Sequence, residues 1–336
     1  MNEADIWPAL RNYWHPVALS EEVTTKPQPV RLLGEQLVLY RADTEVVCLR
    51  DLCIHRGTPL SLGWVEGENL VCAYHGWAYN REGVCVRIPS LEAGRPIPRK
   101  ACVASYPCQE KYGLLWVCLG TPRAPIAECP ELELETYRHY LVGPTPWKCS
   151  AARAMENFVD LAHFAWVHEG ILGDRHHPQV PPVHVNRHGE ELRYTVEERP
   201  NPMHPVGHRR AYRIWRPFAI HQRKERDDGH VEVAFFTVTP HSPGESTNYL
   251  WVLRSFELNA EEEEKRKRLD EFIMQQDQAI VENQRPEELP LDLAAELHLR
   301  GPDAVAVEYR RFLAELANPP ISGRRQQTST RHRNNP

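Results

Sequence analysis

Two short motifs constrain this chain more than anything else in it: Cys53-Ile54-His55 and Cys72-Ala73-Tyr74-His75, separated by sixteen residues. Gly57 follows the first and Gly76 the second, supplying the backbone freedom that tight loops need. Two thiolates and two imidazoles at this spacing can serve one metal centre. One chemistry is zinc in a Cys2His2 site; the other is a [2Fe–2S] cluster with both cysteines on one iron and both histidines on the other. Zinc-finger spacing pairs Cys with Cys and His with His. Here each loop gives one of each, which suits the split ligation. The surrounding residues 30–120 read as short strands broken by Gly and Pro, with a hairpin from runs 31–40 and 45–49, and further runs at 70–73, 78–79, 84–87 and 114–119. Such spacing suggests a small β-sandwich or barrel.

The chain has 336 residues, enough for two domains. The expected boundaries are 1–145 and 146–320, with 121–146, which carries five prolines, as the connection and 321–336 as a polar tail. A net charge of −6 argues against a nucleic-acid partner. With no apolar run long enough to span a bilayer and no signal-like start, a cytoplasmic location and reduced cysteines are expected. The other seven cysteines (Cys48, Cys85, Cys102, Cys108, Cys118, Cys129 and Cys149) have no ligand spacing and read as buried free thiols.

A second constellation lies in the stretch NFVDLAHFAWVH. A helix over 153–168 would put Asn157, Asp160 and His163 on one side. His168 is five residues beyond His163, about 140° away on an ideal helix, so the helix is expected to distort or fray there. Strand-like runs follow at 183–198, 209–225, 232–239 and 248–258, suggesting an extended antiparallel sheet, with helices at 260–284 and 303–316. Asp277 falls on the apolar stripe of the first of these helices, between Ile273 and Val281. A carboxylate there needs a partner, and a metal would supply one. Two imidazoles and a carboxylate form the facial triad of non-haem Fe(II), so His163, His168 and Asp277 are candidate ligands. Candidate pocket residues are Arg213, Phe218, His221, Phe235 and Trp251, although alternation sends only half of any strand inward. The loops 169–182 and 199–208 are candidate lids.

The segments CIHRGTPLSLG and CAYHGWAYN closely resemble the Rieske loops of aromatic-ring oxygenases. Respiratory Rieske proteins would carry cysteine at Thr58 and Tyr74, and this chain does not. The order Asn157, Asp160, His163-x4-His168, and later Asp277 within QQDQAIVENQ, resembles the catalytic domain of Rieske non-haem iron oxygenases, in particular the homotrimeric vanillate and dicamba O-demethylases. The resemblance implies an α+β fold, with an N-terminal Rieske iron–sulfur β-sandwich followed by a helix-grip (START-like) domain built on an antiparallel sheet. It implies a [2Fe–2S] cluster on Cys53, His55, Cys72 and His75, a mononuclear Fe(II), and O2 as co-substrate. Electrons would come from NAD(P)H through a separate ferredoxin or flavin reductase, since the chain has no GxGxxG loop. A head-to-tail homotrimer would place Asp160 between His75 of one copy and His163 of the next, with Asn157 beside the iron. The implied activity is monooxygenation of a small aromatic or heterocyclic compound, by hydroxylation or O- or N-demethylation. The alternatives are the α-subunit of a ring-dihydroxylating dioxygenase and a Rieske electron carrier without catalysis.

Overall fold

The computed structural model describes residues 1–198 and 207–317. The expected tail at 321–336 and most of the 199–208 loop lie outside the described residues. The first half comprises helix α1 (Trp7–Leu10) and strands β1 (His15–Leu19), β2 (Gln28–Leu32), β3 (Glu35–Ala42), β4 (Glu45–Arg50), β5 (Trp64–Glu66), β6 (Asn69–Val71), β7 (Ala78–Tyr79), β8 (Cys85–Arg87), β9 (Ser105–Tyr106), β10 (Cys108–Lys111) and β11 (Leu114–Val117). They form three small sheets, ordered β2-β3-β4-β9, β5-β6-β7-β8 and β1-β11-β10. The run expected as one strand at 31–40 divides at Leu33 and Gly34, both with positive φ (48° and 75°). Leu33 turns its side chain into the core, so an apolar residue occupies the turn and hides it from pattern reading.

The second half contains β12 (Arg138–Trp147), α2 (Ala151–Val159), α3 (Phe164–Val167), β13 (Asn186–His188), β14 (Glu191–Glu198), β15 (His208–Trp215), β16 (Ala219–Arg226), β17 (Val231–Ser242), β18 (Glu245–Arg254), α4 (Ala260–Val281) and α5 (Ala304–Ala314). Seven strands make one antiparallel sheet, β12-β18-β17-β16-β15-β14-β13. β12 runs across the expected 145/146 boundary, so the sheet of the second unit begins at Arg138. Pro144 and Pro146 read as linker, but β12 is an edge strand, where a missing N–H is tolerated.

Alternation along the strands divides the sheet into two faces. Tyr212, Ile220, Phe236, Val238 and Leu250 share a core with Met155 of α2 and Met274 and Val281 of α4. Phe235, Tyr249 and Leu253 pack instead with Leu114 and Trp116 of β11 and Ile126. The helix-side core also takes in Val17, Leu37 and Val117 of the first half, while the other face of the sheet packs on β11 and Ile126. α4 starts cleanly because Asn259 and Glu262 cap it reciprocally. Seven of the nine cysteines are buried; the expectation of burial fails at Cys102, which is exposed, and Cys108, which is half-buried. No helix among the described residues is long and apolar enough to cross a membrane.

The N-terminal segment is tied to α2 by Glu3. Its buried Oε2 accepts the N–H of Ala152 at 3.0 Å, in the first turn of the helix. Burial pushes its carboxyl up to about 7, against the opposing hydrogen bonds from Ser150 and Ala152. The folded chain thus holds a proton that the unfolded chain releases near 4.5. This stabilisation is complete below pH 4.5 and is lost as pH rises through 7, an effect of up to about 3 kcal/mol. Glu3→Gln should remove that component, so that its melting temperature relative to wild type rises between pH 6 and pH 8. Parallel melting curves of the two proteins over this range check it.

Candidate metal centres

The two N-terminal motifs fold as near copies of each other. In the first loop the Cys53 N–H donates to Thr58 O (2.8 Å) and the Gly57 N–H to Cys53 O (2.9 Å). In the second the Cys72 N–H donates to Trp77 O (2.8 Å) and the Gly76 N–H to Cys72 O (3.0 Å). Gly57 and Gly76 have φ of 72° and 69°, a region that side chains disfavour. Cys53 and Cys72 are buried; His75 is exposed and His55 half-buried. The His55 ring stacks on Trp77 at 4.5 Å and meets the His75 ring edge-on at 4.6 Å. The Cys53 thiol lies 3.1 Å from the Tyr79 hydroxyl. The thiols thus lie together inside and the imidazoles together outside. One tetrahedral ion would draw all four ligand atoms into a single tight group. Among the described residues, the groups of three or more donors within 4.8 Å of one another do not include this set. A two-iron cluster, with thiolates on one iron and imidazoles on the other, fits this arrangement better than zinc.

The second centre is assembled around a break in the chain. The expected single helix over 153–168 ends at Val159, and Asp160 is extended (ψ 133°). The chain then turns into the single-turn α3, with His163 at its N-cap and His168 at its C-cap. The break, rather than a bulge within a continuous helix, brings the two imidazoles to one point. Their ring centroids are 5.0 Å apart. Asp277, buried on α4, places Oδ1 3.0 Å from His168 Nε2 and 3.5 Å from His163 Nε2. The three donor atoms lie within 4.8 Å of one another.

Each imidazole is oriented from behind. His163 Nδ1 lies 3.0 Å from Asp160 Oδ2, and His168 Nδ1 lies 3.0 Å from Gln276 Oε1. Both partners accept, so the Nδ1 atoms carry the protons and the Nε2 lone pairs turn toward Asp277. His168 Nε2 and Asp277 Oδ1 are buried yet make no hydrogen bond. Buried acceptors converging without a donor between them suit a cation at their centre. Burial raises the pKa of Asp160, but hydrogen bonds from the His163 ring and from the Ala162 and His163 N–H groups outweigh it and hold the carboxyl below its usual range. Gln276 was missed in the sequence; its place beside Asp277 in the QQD triplet was the only signal.

A cavity of about 140 Å³ opens beside these three residues, close to the 150 Å³ of an apolar cavity that holds benzene. Asn157, Phe158, Phe164, Leu172, Leu250, Ile273 and Met274 line it, with Gln222, Lys224 and Glu232 from the sheet and Arg266 and Asp270 from α4. None of the five candidate pocket residues does. Arg213 binds Glu191 at 2.6 Å, and His221 binds Glu131 of the linker at 2.9 Å. The rings of Phe235 and Trp251 meet Tyr112 and His139, and that of Phe218 meets His15. On β16 to β18 the even-numbered residues face the helices, and Arg213, His221, Phe235 and Trp251 are odd. A one-residue error of parity moved these four to the wrong face, while Phe218 lies in the helix-side core but off the cavity. Cys129, Glu131 and His221 form a second group of donors within 4.8 Å, but Glu131 also accepts from Arg223 at 2.9 Å, which makes this an ion-pair clasp. The loop 169–182 begins pressed against α3: a Cβ on Gly173 would lie 2.5 Å from the Ala165 nitrogen.

Fold and sites together define a two-centre protein, a split Cys/His cluster site joined to a two-histidine, one-carboxylate site beneath a helix-covered sheet. Residues 13–107 match the Rieske [2Fe-2S] domain, and residues 147–319 match the vanillate O-demethylase oxygenase C-terminal domain. The chain is 32% identical to methylxanthine N1-demethylase of Pseudomonas putida, over 91% of this chain and 89% of that one. The structure of the P. putida enzyme with caffeine covers 93% of this chain and 92% of its own, with 31% identity and a TM-score of 0.80. Dicamba monooxygenase bound to dicamba shares the fold at 23% identity and a TM-score of 0.79, over 92% of this chain and 97% of its own. The chain belongs to the Rieske non-haem iron oxygenases, as the oxygenase component. Its resident groups are a Rieske cluster and a mononuclear iron, its co-substrate is O2, and it works with a small-molecule substrate and separate electron-transfer partners.

Gln276→Leu should leave the two imidazoles and Asp277 present but His168 unoriented. The expected result is a loss of about 10- to 100-fold in iron affinity at the mononuclear site, with the visible absorption of the cluster unchanged. Iron retained under chelator titration measures it.

Proposed function

We propose that this chain is the terminal monooxygenase of an N- or O-demethylating system for a small aromatic or heterocyclic compound. The observation that carries the reading is the convergence of two oriented Nε2 lone pairs and a buried carboxylate at one end of a largely apolar cavity. The relatives named for N-demethylation of methylxanthines support the reaction class.

In this reading Cys53 and Cys72 hold one iron of the cluster, His55 and His75 the other, and His163, His168 and Asp277 hold the mononuclear iron. When bound, the cluster supplies electrons one at a time and the mononuclear iron supplies O2 activation. Phe158, Phe164, Leu172 and Ile273 keep water from the methyl group and hold it beside the centre. Asn157 offers a neutral amide at the same end. One methyl C–H becomes C–OH: O2 gives one atom to carbon and one to water, and two electrons from NAD(P)H through the reductase and two protons complete the balance. The N–CH2OH or O–CH2OH adduct then breaks its bond from carbon to the heteroatom, releasing formaldehyde and leaving N–H or O–H.

Asp160 already holds His163 Nδ1 within the chain and is one-third exposed. His75 is exposed on the cluster side, amid Leu52, Ile54 and Tyr74, which are also exposed. Trp166 is exposed on α3, beside the second centre. These surfaces support a head-to-tail homotrimer in which Asp160 links His163 to His75 of the next copy, an interface closed by three-fold rotation.

The purified oxygenase should contain about three irons per chain and show the visible spectrum of a Rieske cluster. Colourless, zinc-containing protein would remove the reading. With a surrogate reductase and a panel of N- and O-methyl compounds, formaldehyde should appear together with demethylated product. Asp160→Ala, assayed with the mononuclear site saturated with iron, should keep the cluster and the trimer but lose about 100-fold in turnover. Full activity in that variant would exclude the bridge.

A further inference from the structure

The two ends of the cavity differ in chemistry. At one end His163, His168 and Asp277 converge; at the other stand Lys224, Glu232, Arg266 and Asp270. Arg266 and Asp277 are eleven positions apart on α4, about 16 Å of helical rise. The lining between them is mostly apolar.

The polar end is unevenly satisfied. Asp270 Oδ2 accepts both the Tyr140 hydroxyl at 2.5 Å and Arg266 Nε at 3.2 Å. Glu232 lies opposite Lys224 in the β16–β17 register. Its Oε2 is 3.5 Å from Lys224 Nζ and 3.6 Å from Arg266 Nη2. Charge-assisted hydrogen bonds run at about 2.7–2.9 Å, so one carboxylate is shared loosely between two cations. The Lys224 side chain is only 20% exposed, and its ammonium has three donors for that one long contact. Burial lowers its pKa and the like charges of Arg210 and Arg266 add to this, against Glu232. A cation kept in a narrow, largely dehydrated space without a close anion is costly, and a ligand that brings the anion relieves the cost.

We propose that this end binds an anionic oxygen group of the substrate, a carboxylate, on Lys224 and Arg266. The substrate is then an aromatic acid, with its N- or O-methyl group toward the metal end and its carboxylate against Lys224 and Arg266. Glu232 tempers the site: it keeps the two cations in place between substrates and weakens the hold on the acid. The inference rests on the demethylase reading for the placement of the methyl group, but the recognition can be measured without turnover.

Calorimetric binding to the metal-loaded oxygenase, with no reductase or reductant, tests it. The probes are 4-methoxybenzoate, 4-methoxyphenylacetate and 4-methoxycinnamate, each against its primary amide, with caffeine as the neutral heterocycle. At least one acid should bind roughly tenfold or more tighter than its amide. Lys224→Met should collapse that ratio to about twofold or less while leaving amide binding intact; Lys224→Arg should preserve it, and Glu232→Gln should raise it. Acids that bind no better than amides, binding of caffeine alone, or a ratio unchanged in Lys224→Met would overturn the proposal. So would equal loss of acid and amide binding in that variant, which would make Lys224 a structural residue. A bound acid that releases no formaldehyde with the reductase present would count against the demethylase reading and leave the recognition site standing.

Discussion

An ionised carboxylate out of water costs several kcal/mol unless charges or hydrogen bonds compensate it. Much of the second half of the chain is arranged around one such group, Asp277. α4 carries it inward beside Met274 and Val281 on the core-facing side of the helix. α3, a single turn, presents two imidazoles to it from a different part of the chain. Neither imidazole neutralises it by hydrogen bonding, because each has its Nδ1 proton committed behind it, to Asp160 and to Gln276. The carboxylate is left facing two lone pairs, an arrangement that a divalent cation completes and that no protein group among the described residues does.

That requirement explains the break at Asp160. In a continuous helix His163 and His168 would diverge by about 140°. Ending α2 at Val159 frees Asp160 to accept from the Ala162 and His163 backbone and from the His163 ring at once. One residue therefore stops the helix, starts the turn and orients a ligand. The anchor of α2 lies far away in sequence, where Glu3 meets its first turn, so the N-terminal segment helps to fix the position from which the metal-site turn departs.

Chemistry carried by residues close in sequence was legible from the start. The alternating Cys/His loops, the His163/His168 pair and the misplaced acid at 277 each state a local demand that few other residue patterns satisfy. Features that depend on tertiary choice were not legible. The parity of β16 to β18 cannot be read when both faces are covered, because Phe235 and Phe236 are equally buried, one against β11 and the linker and the other against α2. The edge strand β12 was hidden by its prolines, and the turn at Leu33 by an apolar side chain that enters the core. Gln276 was invisible for a different reason: an amide that orients a ligand looks like any other glutamine until His168 is beside it.

The double coverage of the sheet also bears on how the two centres can be used. The first half of the chain packs on the outer face through β11 and Ile126, while the metal triad and cavity lie on the inner face, under α4. The His221–Glu131–Arg223 clasp pins the linker to that outer face. The cluster-bearing loops have a small core of their own, with His75 exposed and His55 half-buried. In the proposed trimer a second copy brings its exposed His75 to the Asp160 side of the first. In the proposed assembly the buried thiols anchor the cluster, the outward imidazoles transmit its electrons, and the partly exposed carboxylate of Asp160, already bound to one histidine, has the remaining acceptor capacity to receive another.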